Sequence, residues 1–156
     1  MFTGDRSGDW LYGTLYKFGF CNSPESRRRD DGLALTDAYI ASAVRCAPPD
    51  NKPLPQERAN CLPYLLAELE LLSNVQVVVA LGKFAFDAYL TLRLDKGDKL
   101  PSPKPRFGHG ESYAFADGIT LVSSYHPSQL NTLTGRLTQD MFDAVFSKVK
   151  RILDGG

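Results

Sequence analysis

Hydrophobic positions along this chain switch between a helical period and short continuous apolar runs. Trp10, Leu11, Leu15 and Phe18 recur at helical spacing behind Ser7, a residue suited to capping a helix, and Gly19 suits the helix's end. From Cys21 to Asp37 polar residues dominate. The runs Arg27-Arg28-Arg29 and Asp30-Asp31 within it read as a solvated loop, with a phosphate-contacting patch as the alternative. Ala38 to Arg45 (AYIASAVR) is expected to form a strand, and the proline-rich Cys46 to Pro55 (CAPPDNKPLP) a loop. A helix then runs to about Leu72, with Leu62, Leu65, Leu66, Leu69 and Leu72 on its buried face. Pro63 must either start that helix's main body or kink it.

Val75 to Leu81 (VQVVVAL) is the clearest buried strand, a β-branched run of the kind found in parallel sheets covered on both faces. Gly82-Lys83 turns the chain into a helix through Phe84, Ala85, Ala88 and Tyr89. Gly97 to Gly110 is a loop carrying Lys99, Lys104, Arg106 and His109. A further strand from Ile119 to Ser124 runs into the polar loop Tyr125-His126-Pro127-Ser128, where proline cannot donate to a ladder and ends the strand. Met141, Phe142, Val145, Phe146, Val149 and Ile152 form the apolar stripe of a last helix from about Thr138. Alternation of helices and strands predicts a parallel sheet with right-handed crossovers. Every strand then points the same way, and the loops after Arg45, Leu81 and Tyr125 gather on one edge, bringing Asn51, Gly82-Lys83 and His126 together.

Bulk composition adds limits. A chain of 156 residues, 43% hydrophobic and 23% charged, has the size and balance of one globular domain. Eighteen basic residues offset eighteen acidic ones, so any nucleic-acid contact needs a local patch. No window is apolar enough over sufficient length to span a membrane. Cys21, Cys46 and Cys61 are odd in number, which disfavours a disulfide framework and favours a reducing compartment.

Chemistry concentrates where the loops should meet. His126 stands at a strand's carboxyl end, where open α/β sheets place ligands, and imidazole can donate to a developing anion near neutral pH; capping of local backbone is the alternative. Asn51 can read a base edge with its amide or stabilise a turn. Asp5 can orient water or charge, or cap the first helix. Phe2 can stack on a base or sit in the core. Leu130, alone among polar neighbours, is either a wedge between bases or a buried loop anchor. Gly82-Lys83 lacks the spacing of a phosphate-binding loop. Met1 to Gly8 is dense in glycine and polar residues with no strand ahead of it, the pattern of a site loop separated from its support.

FTGDRSGDWLY at Phe2 to Tyr12, AYIASAVRCAPPDNKP at Ala38 to Pro53 and NCLPYL at Asn60 to Leu65 form one ordered set of motifs. VVVALGKFAFDAYL at Val77 to Leu90, PRFGHG at Pro105 to Gly110 and SYHPSQLNTLTGRLT at Ser124 to Thr138 continue it. Together they resemble the family 5 uracil-DNA glycosylases over essentially the whole chain. The resemblance implies an α/β, three-layer fold with a parallel four-stranded sheet between helices, forming a single domain over residues 1 to 156. It also implies that this chain lacks the family's preceding cysteine pair and first strand, whose place would lie between the Ala38 and Val75 strands. The implied activity is flipping of uracil or another deaminated base from double-stranded DNA and hydrolysis of its N-glycosidic bond, by a cytoplasmic monomer without membrane attachment. In that scheme Asp5 assists catalysis, His126 faces the base O2, Asn51 reads the base and Phe2 stacks on it. Ser128, Leu130, Asn131 and Arg136 belong to the loop that contacts the opened duplex. Cys46 and Cys61 correspond to two ligands of a [4Fe–4S] cluster, and Cys21 is structural. The alternative is an inactive remnant that binds nucleic acid weakly at most.

Overall fold

The computed structural model describes residues 4–45 and 53–156. Phe2, Cys46 and Asn51 therefore lie outside the described residues. Helix α1 spans Arg6–Lys17, α2 Pro55–Leu71, α3 Lys83–Asp95, α4 Gln129–Leu133 and α5 Gln139–Leu153. The strands are β1 (Val77–Leu81), β2 (Ser112–Ala114) and β3 (Thr120–Ser124), in the order β1-β3-β2. β1 and β3 are parallel, with Val77 opposite Thr120 and Leu81 opposite Ser124.

Alternate residues of β1 serve different cores. Val77, Val79 and Leu81 pack with Val122 against Leu11, Leu15, Phe142, Val145 and Phe146 of α1 and α5. Val78 and Ala80 join Leu121, Phe86, Tyr89, Leu90 and Phe115 on the α3 side. The β-branched run is thus sandwiched between two helical layers, and its period of two decides which side chain enters which core. A polar clasp ties α1 to α5. Gln139 Nε2 donates to Thr14 Oγ1 at 2.9 Å and to Asp143 Oδ1 at 2.8 Å, and Lys17 Nζ meets Asp143 Oδ2 at 2.5 Å.

Three sequence expectations need correction. Ser7 lies inside α1; the cap is Asp5, whose carboxylate accepts the Gly8 N–H at 2.6 Å. Its extended backbone (φ −121°, ψ 165°) is the conformation a cap requires. Ala38 to Arg45 is not a strand among the described residues, because no neighbour supplies a ladder. Those residues instead hang from α2, where Glu68 accepts from the Tyr39 hydroxyl at 3.0 Å and from the Arg45 guanidinium. Nor do all strands run parallel, since β2 pairs antiparallel with β3. The signal for that hairpin was the Asp117-Gly118 pair: Gly118 adopts φ +88°, and the Asp117 carboxylate accepts the Ile119 N–H at 3.2 Å. Pro63 neither starts nor breaks α2, which continues through it. The proline fitted to the first turn is Pro55, and Glu57 accepts the Leu54 N–H at 2.7 Å just ahead of it.

The hairpin is locked to α3 by Arg93. Its guanidinium is buried, lies 4.4 Å from the centre of the Phe115 ring and pairs through Nη1 with Asp117 at 2.7 Å. Nε lies 2.8 Å from Asp98 Oδ2 without the alignment of a hydrogen bond. Arg93 holds the Asp117 carboxyl below the ordinary carboxylate range. A depressed carboxylate pKa contributes stability that is complete above its unfolded value, about 3.9, and is lost as pH falls through the folded value. Replacing Arg93 by Met should cost about 1–2 kcal/mol at pH 7, below the usual penalty for breaking a buried pair because both carboxylates can rehydrate. It should also flatten the loss of stability below pH ~4. Urea unfolding at pH 7 and pH 3 measures both.

Candidate functional site

The site forms where β1 and β3 stop. Ser124 accepts the Gly82 N–H through its carbonyl at 2.7 Å, so the two strand exits are stitched together. Gly82 has φ +96°, and a Cβ built there would lie 3.3 Å from the His126 Cβ. Glycine is needed here twice, for the backbone angle and for the close approach of His126. Pro127 is fully buried behind the histidine and anchors the turn out of the sheet. The sequence expectation that the Gly82 turn and His126 converge is met.

His126 is half-buried, and burial pushes its pKa down, while the Asp5 carboxylate acts in the opposite direction. Asp5, early in the sequence, thus acts electrostatically on His126, late in it. Asp5 is exposed and caps α1, as the capping reading of this residue expects. Gly4, just before it, donates its N–H to the Ser26 carbonyl at 2.8 Å, fixing the loop that carries Asp5. Burial thus favours the uncharged imidazole, and the Asp5 charge opposes it by favouring the protonated form.

The loop after Pro127 is short and built from its own side chains. Ser128 caps α4 by accepting the Asn131 N–H at 3.3 Å, and Asn131 Nδ2 donates to the His126 carbonyl at 2.9 Å. Both residues hold the loop and, through it, His126. Leu130 is 73% exposed, so it is no buried anchor, and Leu133 beside it is 61% exposed. Two leucines facing water from one five-residue helix form an apolar knob that sequence reading found only in half. Arg136 lays its guanidinium 4.7 Å from the centre of the Tyr125 ring.

Other sequence candidates have local partners. Arg27 pairs with Glu25 at 2.9 Å and Arg28 with Asp30 at 3.6 Å, while Asp31 accepts the Arg27 and Leu33 N–H groups, the behaviour of a solvated loop. Lys83, beside the Gly82 turn, is paired with Asp87. Cys61 is buried on α2. The Cys21 thiol is buried, raised in pKa by that burial, and directed at the Ser23 carbonyl 3.1 Å away, which fits a structural role. No group of three or more metal-binding side chains forms among the described residues.

A family model described as "Uracil DNA glycosylase superfamily" matches residues 1–150. The chain belongs to the uracil-DNA glycosylase superfamily. Over 153 residues it is 48% identical to the Type-5 uracil-DNA glycosylase of Mycobacterium bovis, covering 97% of this chain and 56% of that protein. It is 46% identical over 152 residues to the Type-5 uracil-DNA glycosylase of Thermus thermophilus, covering 97% of this chain and 66% of the relative. The Type-4 uracil-DNA glycosylase of Thermotoga maritima is 35% identical over 103 residues, which cover 65% of this chain and 49% of the relative. The chain thus spans little more than half the length of the mycobacterial glycosylase it matches. Within this superfamily member, the motif that reads SYHPSQLNTLTGR is the strand exit, histidine and α4 loop just described.

Gly82 gives a direct test of how tightly the site is built. Gly82→Ala should lose about 1–3 kcal/mol, because alanine is strained at positive φ. Its methyl should also displace the His126 ring. Chemical denaturation reads the first effect and the His126 ring signals in NMR read the second.

Proposed function

We propose that this chain carries the base-releasing centre of a DNA repair glycosylase, which removes uracil or another deaminated base from double-stranded DNA by hydrolysing the N-glycosidic bond. The carrying observation is the half-buried His126 at the exit of β3, with the Asp5 carboxylate acting on it. Flipping the base costs a few kcal/mol, roughly, and less at a mismatch. Bond cleavage then leaves negative charge on the base and positive character on the sugar. His126 donates to the base anion, and Asp5 stabilises the cationic sugar or orients water. Neither role needs a protein nucleophile. The exposed pair Leu130 and Leu133 fills the vacated stack, and Arg136, held over Tyr125, meets the phosphate backbone nearby. Asn51 and Phe2, which the family resemblance assigns to reading and stacking the base, complete the pocket.

Two finer readings go with this. The outer edge of β1 and residues 38–45 have no ladder partner among the described residues, which supports a further parallel strand between them in a single domain. Free thiols at Cys21 and Cys61 favour a reducing, cytoplasmic setting for a monomer, and no helix among the described residues is long and apolar enough to cross a membrane.

The family's [4Fe–4S] cluster is a poorer fit to this chain alone. The sequence has three cysteines, and Cys21 is committed to backbone carbonyls far from such a role. Cys46 and Cys61 are half of the four thiolates such a cluster requires. No catalytic step above passes through it. Iron content of the anaerobically purified chain should be near zero.

On a duplex with a U·G mismatch, His126→Ala should slow single-turnover base release about 10²–10³-fold while leaving DNA affinity nearly intact, because the donor acts on charge that develops in the transition state. Asp5→Asn separates the two roles of that residue. Asparagine caps a helix as well as aspartate, so stability should hold while base release falls. Asp5→Ala should in addition cost about 1 kcal/mol. Unchanged release in both the His126→Ala and Asp5→Asn variants would exclude this centre as the site of chemistry.

A further inference from the structure

His109 stands in a turn that is fastened to β3 from several sides. Gly110 N–H donates to the Ser123 carbonyl at 2.7 Å, and Ser123 N–H donates to the Glu111 carbonyl at 2.9 Å. The Ser123 hydroxyl donates to the Gly108 carbonyl at 2.5 Å, and the Lys148 ammonium of α5 donates to the Gly110 carbonyl. From this fixed base the His109 ring reaches two further elements. Its Nδ1 accepts the Tyr125 N–H at 3.1 Å, and its Nε2 lies 3.1 Å from the Met141 carbonyl on α5. An acceptor at Nδ1 leaves the proton on Nε2, which donates to Met141. The ring also packs against Tyr125, with centres 5.0 Å apart and planes 32° apart.

Tyr125 is the residue immediately before His126, and its N–H is the last backbone donor to be fixed before the histidine. The residue after His126 is proline and has no N–H. His126 is therefore gripped through the backbone on both sides, by His109 through the Tyr125 amide and by Asn131 through the His126 carbonyl. The Tyr125 ring is in turn flanked by Phe107 at 6.1 Å and by the Arg136 guanidinium.

We propose that His109 is a positioning residue for His126: its neutral ring, hydrogen-bonded between the Tyr125 amide and the α5 carbonyl of Met141, sets where the β3 exit places the reacting imidazole. This rests on the glycosylase reading of His126. The ring touches neither the base nor the sugar in that reading and acts only through the backbone that carries His126. A displacement of the order of 1 Å at a reacting group costs ~10²-fold in rate.

Two substitutions split the ring's contacts. His109→Phe keeps an aromatic face on Tyr125 and deletes both hydrogen bonds. His109→Asn puts an amide oxygen where Nδ1 stands, keeps the acceptor for Tyr125 and loses Met141. On the U·G duplex, His109→Phe should slow single-turnover uracil release about 10–100-fold with duplex affinity within about twofold, and His109→Asn should recover most of the rate. A wild-type rate in His109→Phe, or equal losses in both variants, would overturn the proposal.

The ring spectrum decides the matter without substrate. The chain has two histidines, so the signals assign by elimination. In the wild type, His109 should show the Nε2–H tautomer. In His109→Phe the His126 signals should move and its titration midpoint should rise toward the ordinary histidine value as the ring loosens from its buried position; in His109→Asn both should stay near wild type. Unmoved His126 signals in His109→Phe sink the positioning role. An inactive wild-type chain whose His126 signals nonetheless respond in this way sinks only the glycosylase reading. If His109→Phe does not fold, His109→Gln takes its place, since its longer amide reaches Met141 and leaves the Tyr125 amide unpaired.

Discussion

Leu81 and Ser124 are register partners in a parallel pair, so both strands stop at the same level and the chain leaves each in the same direction. Most of the site follows from that one alignment. A shift by one residue would turn every side chain of β1 to the opposite core, exchanging Val79 for Ala80 against α5. It would also carry Gly82 away from His126. The alignment is held by the two cores at once, since Val122 is fully buried among α1 and α5 and Leu121 fully buried against α3. What looks like a loop motif is thus specified largely by packing beneath it, and the hydrogen bond from Gly82 to Ser124 closes the assembly.

Much of this was legible in the residues. The β-branched run before Gly82, the strand ahead of His126, and the stripe of Met141, Phe142, Val145, Phe146 and Val149 all carry strong periodic signals, and all three elements formed within a few residues of expectation. The failures have local causes. Ala38 to Arg45 has strand-like composition, but composition describes a half-buried pleated surface, and a strand also needs a neighbour to pair with. Ser7 has the chemistry of a cap, yet Asp5 has it too and sits where the extended backbone precedes the helix. β2 is three residues long, too short to show alternation, and only its Asp-Gly turn announced it.

The site itself was legible in its types more than in its partners. His126 declared itself by position at a strand end. Asp5, far away in sequence, was read as a residue to orient water or charge or as a helix cap, without any tie to His126. In the structure the same carboxylate caps α1 and acts electrostatically on His126. A cap holds the oxygen against an N–H at the helix start, where the helix dipole also favours negative charge. That keeps the Asp5 carboxylate in place without dedicating a second residue to orienting it. His109 escaped notice because its partners are backbone groups of Tyr125 and Met141, which no side-chain pattern records.

The clasp of Thr14, Lys17, Gln139 and Asp143 has a consequence for motion. It is a polar attachment of α1 to α5, and it lies toward the helix's C-terminal end and partly in solvent. Local opening in proteins concentrates where such exposed bonds can be lost without breaking the central sheet. If α1 detaches, Asp5 leaves with it, and Leu11 and Leu15 are withdrawn from the core over β1. The clasp thus couples the seat of Asp5 to the integrity of that core, and acid that protonates Asp143, held below the ordinary carboxylate range by Lys17 and Gln139 against the cost of burial, loosens both.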